Sequence, residues 1–290
     1  MSGGTASPEK PPRPTYIALT SARTVPIAVS ASAAAAGLAY LNARSTAWYD
    51  FRLLRALAGS ALPMFINERR GRLNVFYVLE SRAQSTTTAN RPFLLFGDRS
   101  YTYADVYDRA LRCGTWLRET MGVKEKEIVA IDSMNSDNYL FLWFGLWAIG
   151  ATPAFINYNL LGDALVHCVK RASSRLLFVD PAAAESITTD VRDKLPGVSI
   201  QMMDQTFEAD IVATEPVRYP DEVRHANSSA DIAILIYTSG TTGLPKAAVV
   251  SWGKVVVASG FVPVWAKLKP TDVYYTVSWS LVAEPIALVG

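Results

Sequence analysis

One segment concentrates side chains able to grip a polyanion: Tyr237-Thr238-Ser239-Gly240-Thr241-Thr242-Gly243-Leu244-Pro245-Lys246. Glycines let a backbone turn sharply and bring its N–H groups against an anion. Ser and Thr hydroxyls donate to phosphate oxygens, and lysine adds a compact positive charge. Pro245 stiffens the exit from the loop and restricts where Lys246 points. These are the properties of a loop that holds the β- and γ-phosphates of ATP. The Walker A pattern does not apply, because it needs a second glycine where Pro245 stands, followed by Lys and Ser/Thr. On composition alone, a loop of Ser, Thr and Gly also suits a plain turn between strands.

The surrounding elements set the loop between two apolar runs. After Asp231 the run IAILIYTS is continuously apolar, as a strand buried on both faces should be, and AAVVSW follows the loop. Upstream, RPFLLFGDRSYTY predicts a hairpin turning at Gly97-Asp98, followed by a helix over 104–120. Strands are expected at 127–132, 152–156, 175–180 and 198–203, with helices at 138–149, 161–172 and 182–194 between them. Alternation with short connections implies an α/β fold with a doubly wound, mainly parallel sheet. Residues 205–229 read as loop, broken by Pro216 and Pro220, and DVYYT at 272–276 reads as a strand.

Composition narrows the class. Half of the 290 residues are hydrophobic and 19% are charged, enough for a sizeable core. A net charge of +2, with no cluster of basic residues on one element, gives no footprint for nucleic acid. Cys113 and Cys168 both fall in helical segments and read as reduced core thiols, since no CxxC pair exists for zinc. His167 reads as a structural histidine and His225 as a solvated one. Asp132 and Asp180 end strands, where an exposed carboxylate or a helix cap is expected, and Tyr237 should pack beside the loop.

Residues 1–24 are expected to be a disordered terminus, rich in Gly, Ser, Pro and Lys toward its start. Residues 25–72 form an apolar segment, VPIAVSASAAAAGLAYL, followed by a basic and partly amphipathic stretch, FRLLRALAGSALPMFINERRGR. The apolar part sits at the short edge of a membrane span, and alanine contributes little to insertion. It could span a bilayer, lie on one, or pack as a soluble helix, while the basic stretch could face anionic head groups.

The string Tyr237–Lys246 resembles the phosphate-binding loop of the adenylate-forming superfamily of AMP-binding enzymes. WFGLWAIGATPAFINYNLLGDALVHCVKRASSRLLFVD (143–180) is similar to the fatty acid transport protein / very-long-chain acyl-CoA synthetase branch. Val250-Ser251-Trp252 resembles the fungal members. The resemblance runs from about Gly37 to Tyr275 and implies that residues 73–290 hold part of the adenylation domain. It further implies a two-step reaction: a fatty carboxylate attacks the α-phosphate of ATP to give acyl-AMP and pyrophosphate, and CoA then displaces AMP. By the same resemblance Thr238, Ser239, Gly240, Thr241, Thr242, Gly243 and Lys246 form the ATP phosphate site, with Mg²⁺ sharing the charge. The implied partners are a fatty acid and a membrane surface, on the cytosolic side of the endoplasmic reticulum, peroxisome, lipid droplet or plasma membrane.

The family pattern is lost after Thr276. An aromatic and histidine motif is expected there, but the chain reads Val277-Ser278-Trp279-Ser280 and Glu284 matches no family position. The magnesium-holding glutamate, the ribose-binding aspartate, the C-terminal lysine and the CoA site have no counterpart in these residues. The chain is therefore expected to lack pieces needed for turnover. The alternative is a membrane-associated protein that binds nucleotide without catalysis.

Overall fold

The computed structural model describes residues 21–226, 228–238 and 243–275. The chain divides into two compact units, Met1–Leu53 and Leu54–Gly290. The first holds α1 (Ser21–Arg44), which starts ahead of the expected boundary at Val25, and the beginning of α2 (Ala47–Arg69). Here Leu38, Tyr40, Leu41, Trp48, Tyr49 and Phe51 are exposed. The Trp48 and Phe51 rings stack at 5.8 Å, and the Arg44 guanidinium lies 5.7 Å from the Tyr40 ring. Among the described residues, no helix is long and apolar enough to cross a membrane. Residues 54–72 belong to the second unit, so the compact body starts well ahead of residue 73.

The second unit continues through α3 (Phe76–Gln84) to an antiparallel hairpin of β1 (Pro92–Phe96) and β2 (Arg99–Thr102). Thr102 then starts α4 (Tyr103–Glu119) through a reciprocal cap: its hydroxyl accepts the Asp105 amide, and Asp105 accepts the Thr102 amide. Next come β3 (Ile128–Asp132), α5 (Asp137–Ala148), β4 (Thr152–Ile156), α6 (Gly162–Ala172) and β5 (Leu176–Val179). A 3₁₀ turn (Pro181–Ser186), α7 (Thr189–Lys194), β6 (Ser199–Met202) and α8 (Gln205–Ala213) follow. The described chain closes with β7 (Ile232–Thr238), β8 (Lys246–Ser251) and α9 (Trp252–Ala266).

Six strands form one sheet in the order β6-β5-β3-β4-β7-β8, parallel except for β8 at the edge. The two-residue period of a strand sorts side chains to opposite faces. Val129 and Ile131 join the cluster built with α4 and α5, while Ala130 joins the one built with α6. The sheet is thus covered on both faces, the doubly wound arrangement expected. Helices α4 and α5 meet at two glycines. A Cβ on Gly145 would come within 2.9 Å of the Cys113 Cβ and 3.0 Å of the Gly114 amide nitrogen.

Five expectations need correction. The single helix over 182–194 is two pieces, because Asp180 caps the 3₁₀ turn and the Thr188 hydroxyl accepts the Val191 amide to begin α7. Part of the supposed loop 205–229 is α8, started by the Asp204 carboxylate, which accepts two amides, and held by burial of Phe207 and Ile211 one turn apart. Asp272–Tyr275 has no regular structure, so no strand forms over its described part. Asp132 is fully buried rather than exposed. Of the disorder expected over 1–24, residues 21–24 instead begin α1, while residues 1–20 and the divergence after Thr276 lie outside the described residues.

Candidate functional site

β7 is fixed from several directions. Residues 233–237 are buried, and Leu235 and Ile236 pair in parallel with Ala154 and Phe155 of β4. The Trp147 indole N–H donates to the Ala233 carbonyl at 3.0 Å, tying the strand to α5. The Trp252 amide donates to the Asp231 carbonyl at 2.9 Å, tying the strand's entry to the start of α9. β7 surfaces at its two ends, Ile232 and Thr238, which are exposed.

β8 runs antiparallel to β7, and its first residue, Lys246, is the register partner of Thr238. The hairpin thereby brings a hydroxyl and an ammonium, eight positions apart in the chain, to the two ends of one loop. Both are exposed. Between them Gly243 has φ +95°, a backbone region that L side chains rarely enter, and among the described residues no atom lies within 4 Å of where its Cβ would stand. Its backbone conformation favours glycine there. The structure brings Thr238, Gly243 and Lys246 into one turn; Ser239, Gly240, Thr241 and Thr242 lie outside the described residues. A hydroxyl and an ammonium flanking a glycine turn can hold an anion, but they supply no general base.

Tyr237 is buried among the residues that α6 covers, and its hydroxyl has no hydrogen-bond partner among the described residues. Burial, with the Cys168 thiol adding to it, pushes the phenol up to about 12, so it stays neutral. Cys113 and Cys168 are free and buried, and burial raises both thiols, Cys168 to about 12. His167 is half-buried and His225 exposed. Among the described residues no group of three or more His, Cys, Asp or Glu could hold a metal ion.

Asp132 is the titratable residue whose environment sequence reasoning missed. It ends β3, with Ile156 of β4 and Val179 of β5 as register partners. Its Oδ2 accepts from the Ser186 hydroxyl at 3.2 Å, while Oδ1 is buried without a partner among the described residues. Burial, helped by the like charge of Asp180 and opposed by Ser186, pushes the carboxyl up to about 7. The signal was present in the sequence: a strand apolar on both faces leaves its last side chain no solvent to point at. Asp180 behaves as expected, capping the 3₁₀ turn by accepting the Ala182 amide at 2.9 Å.

The family model described as AMP-binding enzyme matches residues 81–280, and the chain belongs to that family. It is 34% identical over 261 residues to the very long-chain fatty acid transport protein of Cochliobolus heterostrophus, covering 87% of this chain and 40% of that protein. To the very long-chain fatty acid transport protein of Saccharomyces cerevisiae it is 32% identical over 221 residues, covering 71% of this chain and 33% of that protein. Among solved structures, a fatty acyl CoA synthetase of Mycobacterium tuberculosis shares the fold with TM-score 0.60 and 20% identity, over 74% of this chain and 42% of that one. The expected α/β fold with a mainly parallel sheet is the one observed, and the chain holds part of it. The chain spans two fifths or less of these curated relatives, 40% and 33%.

Proposed function

We propose that this chain carries the ATP-phosphate site of an enzyme that activates long- or very-long-chain fatty acids to acyl-CoA through acyl-AMP, with uptake driven by trapping the acid as its thioester. One observation supports the site above all: the β7–β8 hairpin sets Thr238 opposite Lys246 across a loop whose Gly243 needs φ +95°. In this reading Thr238, Ser239, Gly240, Thr241, Thr242 and Gly243 donate hydroxyls and amides to the β- and γ-phosphates, and Lys246 supplies the positive charge. Mg²⁺ arriving with the nucleotide would share the charge of its phosphates beside these hydroxyls. CoA would be the acyl acceptor of the second step. The fatty acid as substrate rests on the similarity to the fungal and yeast transport proteins.

In the same proposal the first unit lies on a membrane surface. Trp and Tyr favour the water–lipid interface, and Trp48, Tyr49 and Phe51 are exposed beside Arg44 and Arg52. The organisation that follows is a membrane-surface segment up to Leu53 and the adenylation part within the unit that starts at Leu54.

Equilibrium titration of the chain with a fluorescent ATP analogue and Mg²⁺ tests the site. Removing one charge-assisted contact weakens a ligand by roughly tenfold to a hundredfold, so Lys246→Ala should do the same here. Binding unchanged by Lys246→Ala and by Gly243→Val would sink the assignment.

A further inference from the structure

A second polar cavity lies away from the hairpin, with a volume of about 330 Å³. Arg72, Ser81, Gln84, Ser85 and Arg218 line it, with Tyr77 and Glu80 at its base. Behind it stands a cluster of three guanidiniums and two carboxylates. Arg72 pairs with Asp221 at 2.9 Å, and Arg218 pairs with Asp221 at 2.7 Å and Glu80 at 2.6 Å. Arg224 pairs with Glu80 at 3.0 Å and Asp221 at 3.2 Å.

The cluster is short of negative charge. Glu80 is fully committed, because Oε1 also accepts from the Tyr107 hydroxyl at 2.7 Å and both oxygens accept from Arg218 and Arg224. Burial alone would raise the Glu80 carboxyl, but these donors hold it below its usual value. Asp221 is drawn down to about 2 as Arg218, Arg72 and Arg224 overcome its burial. Both acids are therefore ionised, and one positive charge remains over. Arg224, 1% exposed, has a buried Nε with no acceptor among the described residues. Its guanidinium lies 4.6 Å from the centre of the Tyr77 ring, the ring at the base of the cavity. Arg72 and Arg218 remain 53% and 40% exposed, so both can still donate outward.

We propose that this cavity binds a phosphate-bearing anion, held by Arg72 and Arg218 with the hydroxyls of Ser81 and Ser85 and the Gln84 amide. A phosphate group matches that donor set, since guanidinium forks and neutral hydroxyls both serve its oxygens. The excess positive charge supplies the drive, and Glu80 and Asp221 do not repel the anion because each is already neutralised. The phosphate could be free or carried by a lipid head group. The site is independent of the ATP loop.

The experiment is thermal unfolding of the 290-residue chain in sodium phosphate against sodium chloride of matched ionic strength. Phosphate at about ten times its Kd should raise the midpoint saturably, by a few degrees. Ser81→Asp and Gln84→Glu each put a negative charge on the exposed rim without touching an ion pair, and should abolish the rise. Lys246→Ala should leave it intact. Phosphate also stabilises proteins generally by exclusion from their surface, and that effect survives a rim substitution. A rise that is equal in wild type and Ser81→Asp, or no saturable rise at all, overturns the proposal. Dioctanoyl phosphatidate separates the sources. Binding at least tenfold tighter than that of inorganic phosphate identifies a lipid head group, and equal binding identifies free phosphate.

Discussion

Replacing Asp132 by Asn should stabilise the protein at alkaline pH and flatten its stability between pH 4 and pH 7. The carboxyl moves from an ordinary 3.8 to about 7, because it is buried with one oxygen unpartnered and Asp180 nearby. In that window the folded chain binds a proton at Asp132 that the unfolded chain does not. Stability therefore falls as pH rises from 3.8 toward 7 and levels off above it. At ~1.4 kcal/mol per tenfold change, the ionised residue costs at most roughly 4 kcal/mol above that window. Asn keeps the carbonyl that accepts from Ser186 and cannot ionise, so the variant avoids this cost. Urea unfolding at intervals from pH 5 to pH 8.5 measures it. Wild type should lose stability from pH 5 toward pH 7 with a slope approaching about 1.4 kcal/mol per pH unit and level off above it, a dependence that Asp132→Asn should lack. Equal slopes in the two proteins would refute the argument and place the pH dependence elsewhere.

Gly145→Ala should destabilise by about 1–3 kcal/mol in thermal unfolding, because its methyl meets Cys113 and the Gly114 backbone at 2.9–3.0 Å. Glu80→Ala should cost about 3–5 kcal/mol in urea unfolding, since Arg224 is 1% exposed and loses an acceptor of its charge. Trp147→Phe removes the donor to the Ala233 carbonyl and should cost roughly 1–3 kcal/mol. The same variant should weaken ATP-analogue binding, as β7 loses a tie that sets the height of Thr238.

The architecture was legible wherever a segment carried one unambiguous period. β3, β4 and β5 are short, apolar on both faces and separated by helices, so their parallel order follows from the connection rules. Residues 103–119 carried both a capping pair and a 3.6-residue apolar stripe. Where two short elements adjoined, the pattern failed. The 3₁₀ turn and α7 together look like one helix until the Thr188 cap is seen, and α8 buries only Phe207 and Ile211, too few to stand out. Of the candidate site, residue types gave the loop, but the pairing of Thr238 with Lys246 depends on the hairpin register, which no local pattern encodes. The charge cluster was not legible at all: Glu80 and Arg224 are far apart in the chain and meet only through tertiary packing.

The sheet divides its work between positions. Strands β3, β4 and β7 are buried on both faces, and β7 is held by Trp147 from α5, Ala154 and Phe155 from β4, and Trp252 from α9. β8 is an edge strand with Lys246 and Val249 exposed, paired on one side only. A phosphate donor set built this way is rigid on its β7 side and open on its β8 side. One lysine cannot neutralise a triphosphate, and among the described residues no second cation stands in register with it. The hairpin by itself should therefore bind pyrophosphate and ATP with similar, modest affinity, discriminating neither base nor ribose. Titrating the chain with ATP, GTP and pyrophosphate decides this. A strong preference for ATP would mean that residues of this chain also read the nucleoside.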